Sequence, residues 1–322
     1  MNMFDIIALG ELLIDFVPTG LTEQGHIIFE ANPGGAPCNV LAMANQLGKK
    51  TAFIGKVGKD MFGVQLRETL KKVGIEDKGL IDDSEVNTTL AFVKNEENGE
   101  RSFSFYRNPG ADMNLKKNEI DLDLLSSCKV FHFGTLSMTH EQVREATKHA
   151  IDTAKQNKSL ISFDPNLREP LWDDLNSAKE QMLYGCSMCD ILKIEEKELE
   201  FLTGKTSIQE GIDILKSNSD IKIIFVTAGS EGSYVFYKDQ MLYQPAFLND
   251  KTIDTTGAGD TFYGACLAQI LNFDIEEISN EHLQEILTFS NAAASILTTR
   301  KGAICSMPKV EEVLELIKIR NK

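Results

Sequence analysis

The segment Asp254-Thr255-Thr256-Gly257-Ala258-Gly259-Asp260, followed at once by the helical run Thr261–Cys266, carries the strongest signal in the chain. Its three small residues let the backbone approach a ligand without hindrance from side chains. They lead into a helix, whose first amides have no intrahelical acceptor and whose dipole is positive at that end. Such a turn suits a transferring phosphoryl group. Asp260, in the first turn, is placed to take a proton from a hydroxyl, although an Asp there can also merely stabilise the helix start.

A second segment, Asn32-Pro33-Gly34-Gly35-Ala36-Pro37-Cys38-Asn39-Val40, also places a glycine pair before a helix. The amides at such a helix start approach a polar group, and Asn39 would point inward from the first turns. A Gly-Gly pair before a helix is often only a turn. Alone, this segment therefore indicates a turn with one candidate polar contact.

The composition limits the class of protein. The chain has 322 residues, 42% of them apolar and 25% charged, and its formal net charge is −15. This length and apolar content suit one large domain with a sizeable core. So acidic a chain lacks the basic face that a nucleic-acid backbone demands. No apolar run approaches the roughly 18 residues that span a bilayer, so the prediction is a protein that binds neither nucleic acid nor membrane.

The cysteines and the first residues predict a cytoplasmic location. The six cysteines are scattered along the chain, at Cys38, Cys128, Cys186, Cys189, Cys266 and Cys305. Scattered cysteines in a long chain favour reduced thiols over a disulfide framework. The first ten residues, with Asp5 beside the short apolar run Ile6–Leu9, are typical of a strand rather than of a secretory signal.

Apolar, β-rich runs alternate with longer segments of helical periodicity along the chain. The predicted buried strands are Asp5–Leu9, Thr51–Gly55, Val130–Phe133, Leu160–Phe163, Asp190–Ile194 and Ile221–Val226. The predicted helices are Pro37–Leu47, Met61–Val73, His140–Gln156, Ile208–Lys216, Thr261–Leu271, His282–Thr298 and Val310–Ile319. This alternation predicts an α/β fold of three layers, with a mostly parallel central sheet covered on both faces. No internal repeat or linker divides residues 1–322, so the prediction is a single domain.

Two stretches, Leu13–Phe29 and Thr88–Arg107, break this rhythm and are typical of short strands with turns. Within the second, Arg101–Tyr106 alternates apolar and polar residues, as a half-exposed sheet does. A small sheet with one apolar face needs a cover, which a site beneath it or the matching sheet of a second copy would supply. We therefore expect a β-sheet lid, with strands from about residues 11–32 and 85–110, that belongs to the same domain.

The segments Gly34–Asn39, Phe53–Gly58 and Asp254–Asp260, in this order and spacing, resemble the two signature regions of the ribokinase (PfkB) carbohydrate kinases. Further segments look like the fructokinase branch: Gly10–Phe16, Phe103–Pro109, Phe131–Gly134 and Phe163–Arg168. The resemblance implies a ribokinase-like fold and a phosphotransferase with an alcohol group as acceptor. It implies transfer of the γ-phosphoryl group of Mg-ATP to a sugar, by analogy to the hydroxyl at carbon 6 of fructose.

The resemblance also implies a role for each matching residue. Asp260 would be the general base, and the anion hole would consist of Gly257, Ala258 and Gly259. The sugar would be held by Asp15, Gly34, Gly35 and Asn39, with Phe103, Phe105 and Arg107 reaching in from the lid and Asn166 and Arg168 near the phosphate path. A sugar offers only hydroxyls, so charge-assisted and amide hydrogen bonds are the means to hold it. From the residues alone, Asp15 also fits a turn at a strand end, and the two phenylalanines fit plain packing under the lid.

The nucleotide side is marked by Val226–Gly232, which resembles the family's ATP-binding turn and implies contacts from Thr227, Gly229 and Gly232. The segment formed by Asn291 and the small residues Ala292–Ala294 resembles part of the family's helix that flanks adenine. Lys193 and Glu198 stand where the family has its lysine and the glutamate that organises magnesium through water. Three residues before Glu198 this chain has Glu195, where the family often has Asn or Ser. The Glu195 carboxylate either weakens the contact of this region with the phosphates or extends into solvent.

A monovalent cation and a homodimer complete what the resemblance implies. Asp254, Thr256 and Ser306 resemble the loops around a monovalent-cation site in relatives, and oxygen ligands suit a potassium ion. Asp254 could equally cap its own loop. A homodimer through the lid sheets would follow by analogy.

Two other functions fit the sequence. One is another kinase of the family, acting on ribose, a nucleoside or 2-keto-3-deoxygluconate, since Arg107 and Arg168 would suit the carboxylate of an acid sugar. The other is a catalytically silent sugar-binding regulator on the same fold. The complete Gly257–Asp260 segment argues against the regulator, because a sensor needs no base.

Overall fold

The computed structural model describes residues 4–95 and 101–320. The strands are β1 (Phe4–Leu9), β2 (Leu13–Leu21), β3 (Ile27–Gly34), β4 (Thr51–Gly58), β5 (Glu76–Asp83), β6 (Leu90–Asn95), β7 (Arg101–Tyr106), β8 (Cys128–Gly134), β9 (Leu160–Asp164), β10 (Ile191–Glu195), β11 (Ile223–Thr227), β12 (Gly232–Tyr237) and β13 (Gln240–Pro245). The helices are α1 (Ala36–Gln46), α2 (Met61–Val73), α3 (Leu122–Leu125), α4 (Glu141–Gln156), α5 (Leu175–Met188), α6 (Glu196–Thr203), α7 (Ile208–Ser217), α8 (Ala258–Ile270), α9 (Asn280–Leu297) and α10 (Val310–Arg320). Short 3₁₀ turns connect several of them.

The central sheet has the strand order β13-β12-β11-β10-β9-β8-β1-β4-β5 within the described residues. Its strands from β11 to β5 in this order pair in parallel, and β12 and β13 add an antiparallel edge. Side chains alternate between the two faces, so that Ile6 and Ala8 of β1 enter one core and Ile7 and Leu9 the other. The predicted mostly parallel sheet is confirmed.

Helices cover both faces of the central sheet. The helices α1, α2, α8, α9 and α10 pack against one face, and α3 to α7 pack against the other. The predicted three layers are therefore present, and each predicted strand and helix is found with ends that differ by a few residues. The elements that the sequence did not predict are β5, β12, β13, α3, α5 and α6. None of the helices in residues 4–95 and 101–320 is long and apolar enough to cross a bilayer.

The second sheet, which we call the lid, has the strand order β3-β2-β6-β7. The predicted lid ranges contain these strands except the end of β3, which continues to Gly34; residues 96–100 of the predicted lid lie outside the described residues. The chain leaves β1 for the lid through residues 10–12 and returns from β3 into α1 through Gly35 alone. The lid is thus joined directly to the first core helix.

The strand order reverses beside β1, because the chain goes first to β4 on one side and later to β8 on the other. In open α/β sheets, ligands bind outside the carboxyl ends of the strands at such a point. The lid strand β2 begins only a few residues after β1 ends, so the lid lies over this edge.

Candidate active site

A cleft of about 650 Å³ lies at this edge, between the lid, the carboxyl ends of the central strands and the start of α8. Most predicted site residues line it: Asp15, Gly35, Asn39, Phe103, Phe105, Asn166, Arg168, Lys193, Thr227, Gly229, Gly232, Thr256, Gly257, Ala258, Gly259, Asp260 and Asn291. The predicted residues that are not part of the lining are Gly34, Arg107, Glu198, Asp254 and Ser306. Residues from more than a dozen separate positions in the chain therefore meet at one place. The volume is within the usual range for small-molecule sites.

Asp260 lies in the first turn of α8 with its carboxylate held from two sides. The side-chain amide of Asn39 donates to Oδ2 at 2.7 Å, and that of Asn166 lies 3.4 Å from Oδ1. Burial raises the pKa of Asp260, while the bond from Asn39 and the positive charges of Lys193 and Arg168 oppose this rise. A raised pKa makes the carboxylate a better proton acceptor near neutral pH. This geometry suits a general base.

The start of α8 forms an anion-binding turn. Gly257 has a φ of 76°, and a Cβ at this position would lie 2.5 Å from the Cβ of Ala303, so glycine is required here. The Ala258 amide donates back to the carbonyl of Thr255 at 3.2 Å. The first amides of a helix have no acceptor within the helix, and such a helix start attracts negative charge.

Lys193 adds a full positive charge to this turn. Its ammonium nitrogen is 3.3 Å from where a Cβ of Gly259 would lie. The same nitrogen is 3.0 Å from Oδ2 of Asp164, and both side chains are buried. Burial opposes the charge on Lys193, but the carboxylates of Asp164, Glu198 and Asp260 outweigh it and raise its pKa. The lysine therefore stays charged beside the anion-binding turn.

The helix α1 carries Asn39 and packs directly on α8. A Cβ on Gly264 of α8 would lie 2.5 Å from the carbonyl oxygen of Val40, so the two helix backbones approach closely. The carbonyl oxygen of the Asn39 side chain is buried without a hydrogen-bond partner in the described structure. Its amide group must face Asp260, because the opposite orientation would place the oxygen against a carboxylate. The position of α1 thus determines which atoms surround the base.

Asp15 and two phenylalanines form the lid side of the cleft. Asp15 of β2 is paired with Ala91 of β6, which is paired with Phe105 of β7, so the three share one face of the lid. The rings of Phe103 and Phe105 stack with centroids 6.0 Å apart and are half-buried in the cleft wall. A Cβ on Gly34 would lie 2.1 Å from Oδ2 of Asp15, so the glycine leaves the space that this carboxylate occupies.

Arg107 lies at the base of the lid, where its donors bind protein groups. Its Nε and Nη2 contact the Asp112 carboxylate, each at 2.7 Å. Nη1 donates to Thr139 at 2.8 Å, and Nη2 also donates to the carbonyl of Leu136 at 2.9 Å. The guanidinium is buried outside the cleft lining, so the role of a sugar ligand remains a prediction that this geometry does not favour.

Asn166 and Arg168 follow β9 at the floor of the cleft. Asn166 has a positive φ of 45°, which Asn tolerates better than most residues. One guanidinium nitrogen of Arg168 donates to the carbonyl of Leu167 at 3.2 Å. The guanidinium also opposes the rise in pKa of both Asp15 and Asp260. Its positive charge thus acts on both carboxylates, and its place on the phosphate path stays a prediction.

The predicted nucleotide side consists of the turn after β11 and the helix α9. Gly229 and Gly232 have φ angles of 53° and 131°, and a Cβ on Gly232 would lie 2.2 Å from the carbonyl of Gln244. The Asn291 amide donates to Ser233 at 2.6 Å and to the Leu287 carbonyl at 2.8 Å. It is thus held in place from within the protein, at the wall of the cleft.

Glu195 is exposed and lines the cleft at the end of β10. It pairs in register with Thr227 of β11, so it lies beside the predicted ATP-binding turn. The residue that replaces the family's usual Asn or Ser is thus part of the cleft lining beside this predicted turn.

Glu198, the residue predicted to organise magnesium, lies just outside the cleft lining. Both carboxylate oxygens of Glu198 accept backbone hydrogen bonds, from Leu167 at 2.7 Å and from Glu195 at 2.9 Å. Among the described residues, no group of three or more His, Cys, Asp or Glu is arranged to hold a metal ion. The role that the resemblance implies for Glu198, to organise magnesium through water, stays a prediction.

The loops predicted for a monovalent cation touch each other at Gly257 and Ala303. Oδ1 of Asp254 accepts a hydrogen bond from the Thr256 amide at 2.8 Å. The Ser306 hydroxyl donates to the carbonyl of Lys301 at 2.7 Å, and its own carbonyl accepts from Arg300 at 2.9 Å. The loops are thus adjacent, while Ser306 already uses its oxygens within the protein.

Two acidic residues of the site were not selected from the sequence. Glu11 lines the cleft, is buried, and accepts a hydrogen bond from the Ala36 amide at 2.8 Å. Asp164 is the buried partner of Lys193. Glu11 comes two residues after β1 and Asp164 is the last residue of β9, so an acidic residue at the carboxyl end of a buried strand was the signal that could have identified both.

The fold and the cleft fit an enzyme that transfers a phosphoryl group to a hydroxyl, since Asp260, the turn at the start of α8 and the buried Lys193 meet beneath a lid. Residues 3–310 match the family model described as pfkB family carbohydrate kinase, and the chain belongs to this family. The expected family and ribokinase-like fold are therefore confirmed.

The chain is also similar to individual fructokinases over nearly its whole length. It is 42% identical over 320 residues to the probable fructokinase-2 of Arabidopsis thaliana, which covers 98% of this chain and 96% of that protein. A crystal structure of fructokinase with bound ATP from Xylella fastidiosa has a TM-score of 0.91 and 29% identity, covering 99% of each chain. A double mutant of fructokinase from Vibrio cholerae O395, in a form with fructose, ADP and potassium ion, has a TM-score of 0.87 and 28% identity, covering 98% of this chain and 99% of that one.

Proposed function

We propose that the protein is an ATP-dependent fructokinase, which converts D-fructose and ATP to fructose 6-phosphate and ADP. The observation that carries the proposal is the position of Asp260 in the first turn of α8. The side-chain amide of Asn39 donates to its Oδ2 at 2.7 Å, and the ammonium of Lys193 lies beside Gly259 in the same turn. The similarity to fructokinases over almost the whole chain supports the choice of sugar. A regulator would have no use for a base poised at an anion-binding turn.

In the proposed reaction, Asp260 accepts the proton of the sugar hydroxyl as its oxygen attacks the γ-phosphorus of Mg-ATP. The bond from the γ-phosphorus to the bridging oxygen breaks, and ADP leaves with that electron pair. The turn at the start of α8 and the ammonium of Lys193 stabilise the charge on the transferring group. Catalysis is then mostly positioning and electrostatics.

The aromatic lid serves this chemistry by excluding water. Phe103 and Phe105 cover the sugar side of the cleft, and closure over a bound sugar would prevent transfer of the phosphoryl group to water. Glu198 would help to hold magnesium through water, and the ion would supply positive charge to the phosphates of the nucleotide. A potassium ion at the adjoining loops of Asp254, Thr256 and Ser306 would add fixed positive charge near the start of α8.

The test of the function is ADP release from ATP and magnesium across a panel of fructose, ribose, glucose, adenosine and 2-keto-3-deoxygluconate. We expect kcat/KM for fructose to exceed the others at least about tenfold, which corresponds to roughly 1.4 kcal/mol of transition-state binding. Faster turnover of another acceptor would reject the fructokinase assignment. A carboxylate at Arg107 would have to displace Asp112, so Arg168, which lines the cleft, is the arginine that would bind 2-keto-3-deoxygluconate.

Asp15→Asn is expected to raise KM for fructose on the order of 10–100-fold, with little change in kcat, because a charge-assisted hydrogen bond to the sugar is lost. Burial raises the pKa of Asp15 to about 7, opposed by Arg168 and reinforced by Asp254 and Asp260. The ionised form is the acceptor, so KM of the unmodified protein should fall as pH rises from 6 to 8. The control is the pH dependence of KM for fructose in Asp15→Asn, because this variant keeps every other titrating group, Glu11 included. An equal pH dependence in both proteins would exclude Asp15 as the source.

We also propose that two copies associate through the outer face of the lid. Phe16, Phe92 and Tyr106 share this face, which is opposite to the cleft, and Tyr106 is 66% exposed. Sedimentation of the intact protein should show a dimer, and Tyr106→Glu should shift it toward monomer because a charge would enter the apolar contact. A protein that stays monomeric at high concentration would reject this arrangement.

The cytoplasmic location remains a prediction.

A further inference from the structure

The N-terminus of α1 is capped by a side chain from a distant part of the chain. Its own N-cap residue, Gly35, has no side chain to offer, and Pro37 follows within the first turn. Oε1 of Glu11 accepts the hydrogen bond of the Ala36 amide at 2.8 Å, across 25 residues of sequence. Glu11 is only 4% exposed, so this contact lies inside the fold at the wall of the cleft. A buried carboxylate at a helix N-terminus interacts favourably with its dipole.

The backbone around Glu11 fits closely against the same helix start. Gly35 has a φ of 131°, and a Cβ there would lie 2.4 Å from the carbonyl oxygen of Glu11. Glu11 therefore contacts the entry to α1 with both its side chain and its main chain. Because residues 10–12 also connect β1 to the lid, this contact lies where sheet, lid and helix meet.

From Ala36 the connection to the base is short. Asn39 lies one turn further along α1, and its backbone N–H donates to the carbonyl of Gly35 at 3.0 Å. Its side chain donates to Asp260 at 2.7 Å. The close approach of Gly264 and Val40 leaves little room for α1 to shift independently of α8. The first turn of α1 is the part that a lost cap would release.

We propose that Glu11 is a positioning residue for phosphoryl transfer: it fixes the first turn of α1 and thereby holds Asn39 against Asp260. The catalytic part of this inference rests on the proposed kinase function. Glu11 does not take part in proton transfer, and its effect is exerted through Asn39. A small displacement of a catalytic group can cost about a hundredfold in rate.

The kinetic test compares Glu11→Ala with Glu11→Gln. The Ala variant should lower kcat roughly ten- to a hundredfold with KM for ATP nearly unchanged. The Gln variant retains an oxygen that can accept from the Ala36 amide, so it should restore most of kcat. A rise in KM for fructose at constant kcat, or a Gln variant as slow as Ala, would overturn the proposal, because Glu11 would then act as a sugar ligand or through its charge.

A double-mutant cycle with Asn39→Ala tests the route from Glu11 to the base. If Glu11 acts through Asn39, adding Glu11→Ala to Asn39→Ala should change kcat less than about twofold. If the double variant instead lost kcat by the product of the two single losses, the proposed route through Asn39 would be wrong. Asp174→Ala is the matched control, since Asp174 caps α5 through the amides of Asn176 and Ser177 and this helix carries no site residue. It should leave kcat unchanged; a loss equal to that of Glu11→Ala would mean that any cap loss has this effect.

Hydrogen exchange provides a measurement that needs no substrate. Peptides covering residues 36–44 should exchange faster in Glu11→Ala than in the unmodified protein and in Glu11→Gln, while peptides covering α2 should not change. Unchanged exchange at α1 would overturn the proposal. If the unmodified protein does not phosphorylate fructose, the proposed function fails, and the exchange experiment still decides whether Glu11 fixes the start of α1.

Discussion

Replacing Asp260 with Asn should lower kcat by roughly 10²–10⁴-fold, because the carboxylate that takes the proton from the sugar hydroxyl is gone. KM for fructose and for ATP should change much less. Asn keeps the shape of the side chain, and its carbonyl oxygen still accepts the hydrogen bond that Asn39 donates at 2.7 Å to the native carboxylate. The fold therefore remains, and the melting temperature should move by no more than a few degrees.

Steady-state kinetics of purified Asp260→Asn and Asp15→Asn would separate base from ligand. Both acids line the same cleft, and burial raises the pKa of both. The Asp260 variant should lose kcat and the Asp15 variant should lose affinity for the sugar. A near-native kcat in Asp260→Asn would show that another group takes the proton.

Lys193→Met should destabilise the protein by about 3–5 kcal/mol and remove most of its activity. The side chains of Lys193 and Asp164 are both buried, with the ammonium 3.0 Å from the carboxylate, so the substitution leaves an uncompensated buried acid. Activity falls because the positive charge beside Gly259 is lost. Denaturant unfolding followed by fluorescence or circular dichroism measures the first effect, and ADP release the second.

The destabilisation of Lys193→Met should grow as pH rises. Without the lysine, nothing offsets the burial that raises the pKa of Asp164 above its usual value. The folded state then binds the proton more tightly than the unfolded state, so stability falls as pH increases above the unfolded pKa. Adding Asp164→Asn should recover much of the stability at pH 8 and none of the activity. A double variant as unstable as Lys193→Met would show that the lost packing of the lysine stem is responsible.

The fold was predictable wherever an element is buried on both faces. Strands such as β1 and β11 are continuous apolar runs because helices cover both sides of them. The missed strands β5 and β13 are the two edges of the central sheet, and β5 consists largely of charged residues. The helix α6 was missed because it begins at Glu196, directly after the last residue of β10, without a turn that would mark its start.

The site was predictable where chemistry depends on local sequence. The small residues before Asp260 and the asparagine of α1 are recognisable because a tight turn and a helix start each require particular residues nearby. The contacts of Arg107 were not predictable, since Leu136 and Thr139 come from a segment about thirty residues away, between β8 and α4. The same holds for Glu11, whose partner Ala36 is reached only once the lid has folded back.

The lid strands are inserted in the sequence between elements of the core, and they form a separate sheet. The strand order of the central sheet therefore does not depend on them. Asp15, Phe103 and Phe105 belong to these excursions, whereas Lys193 and Asp260 belong to the core. In the proposed function, the lid side chains that would contact the acceptor and the core side chains that would carry out phosphoryl transfer therefore belong to different parts of the chain. We expect substitutions in residues 13–34 and 101–106 to change the preference among acceptors more than the rate of phosphoryl transfer.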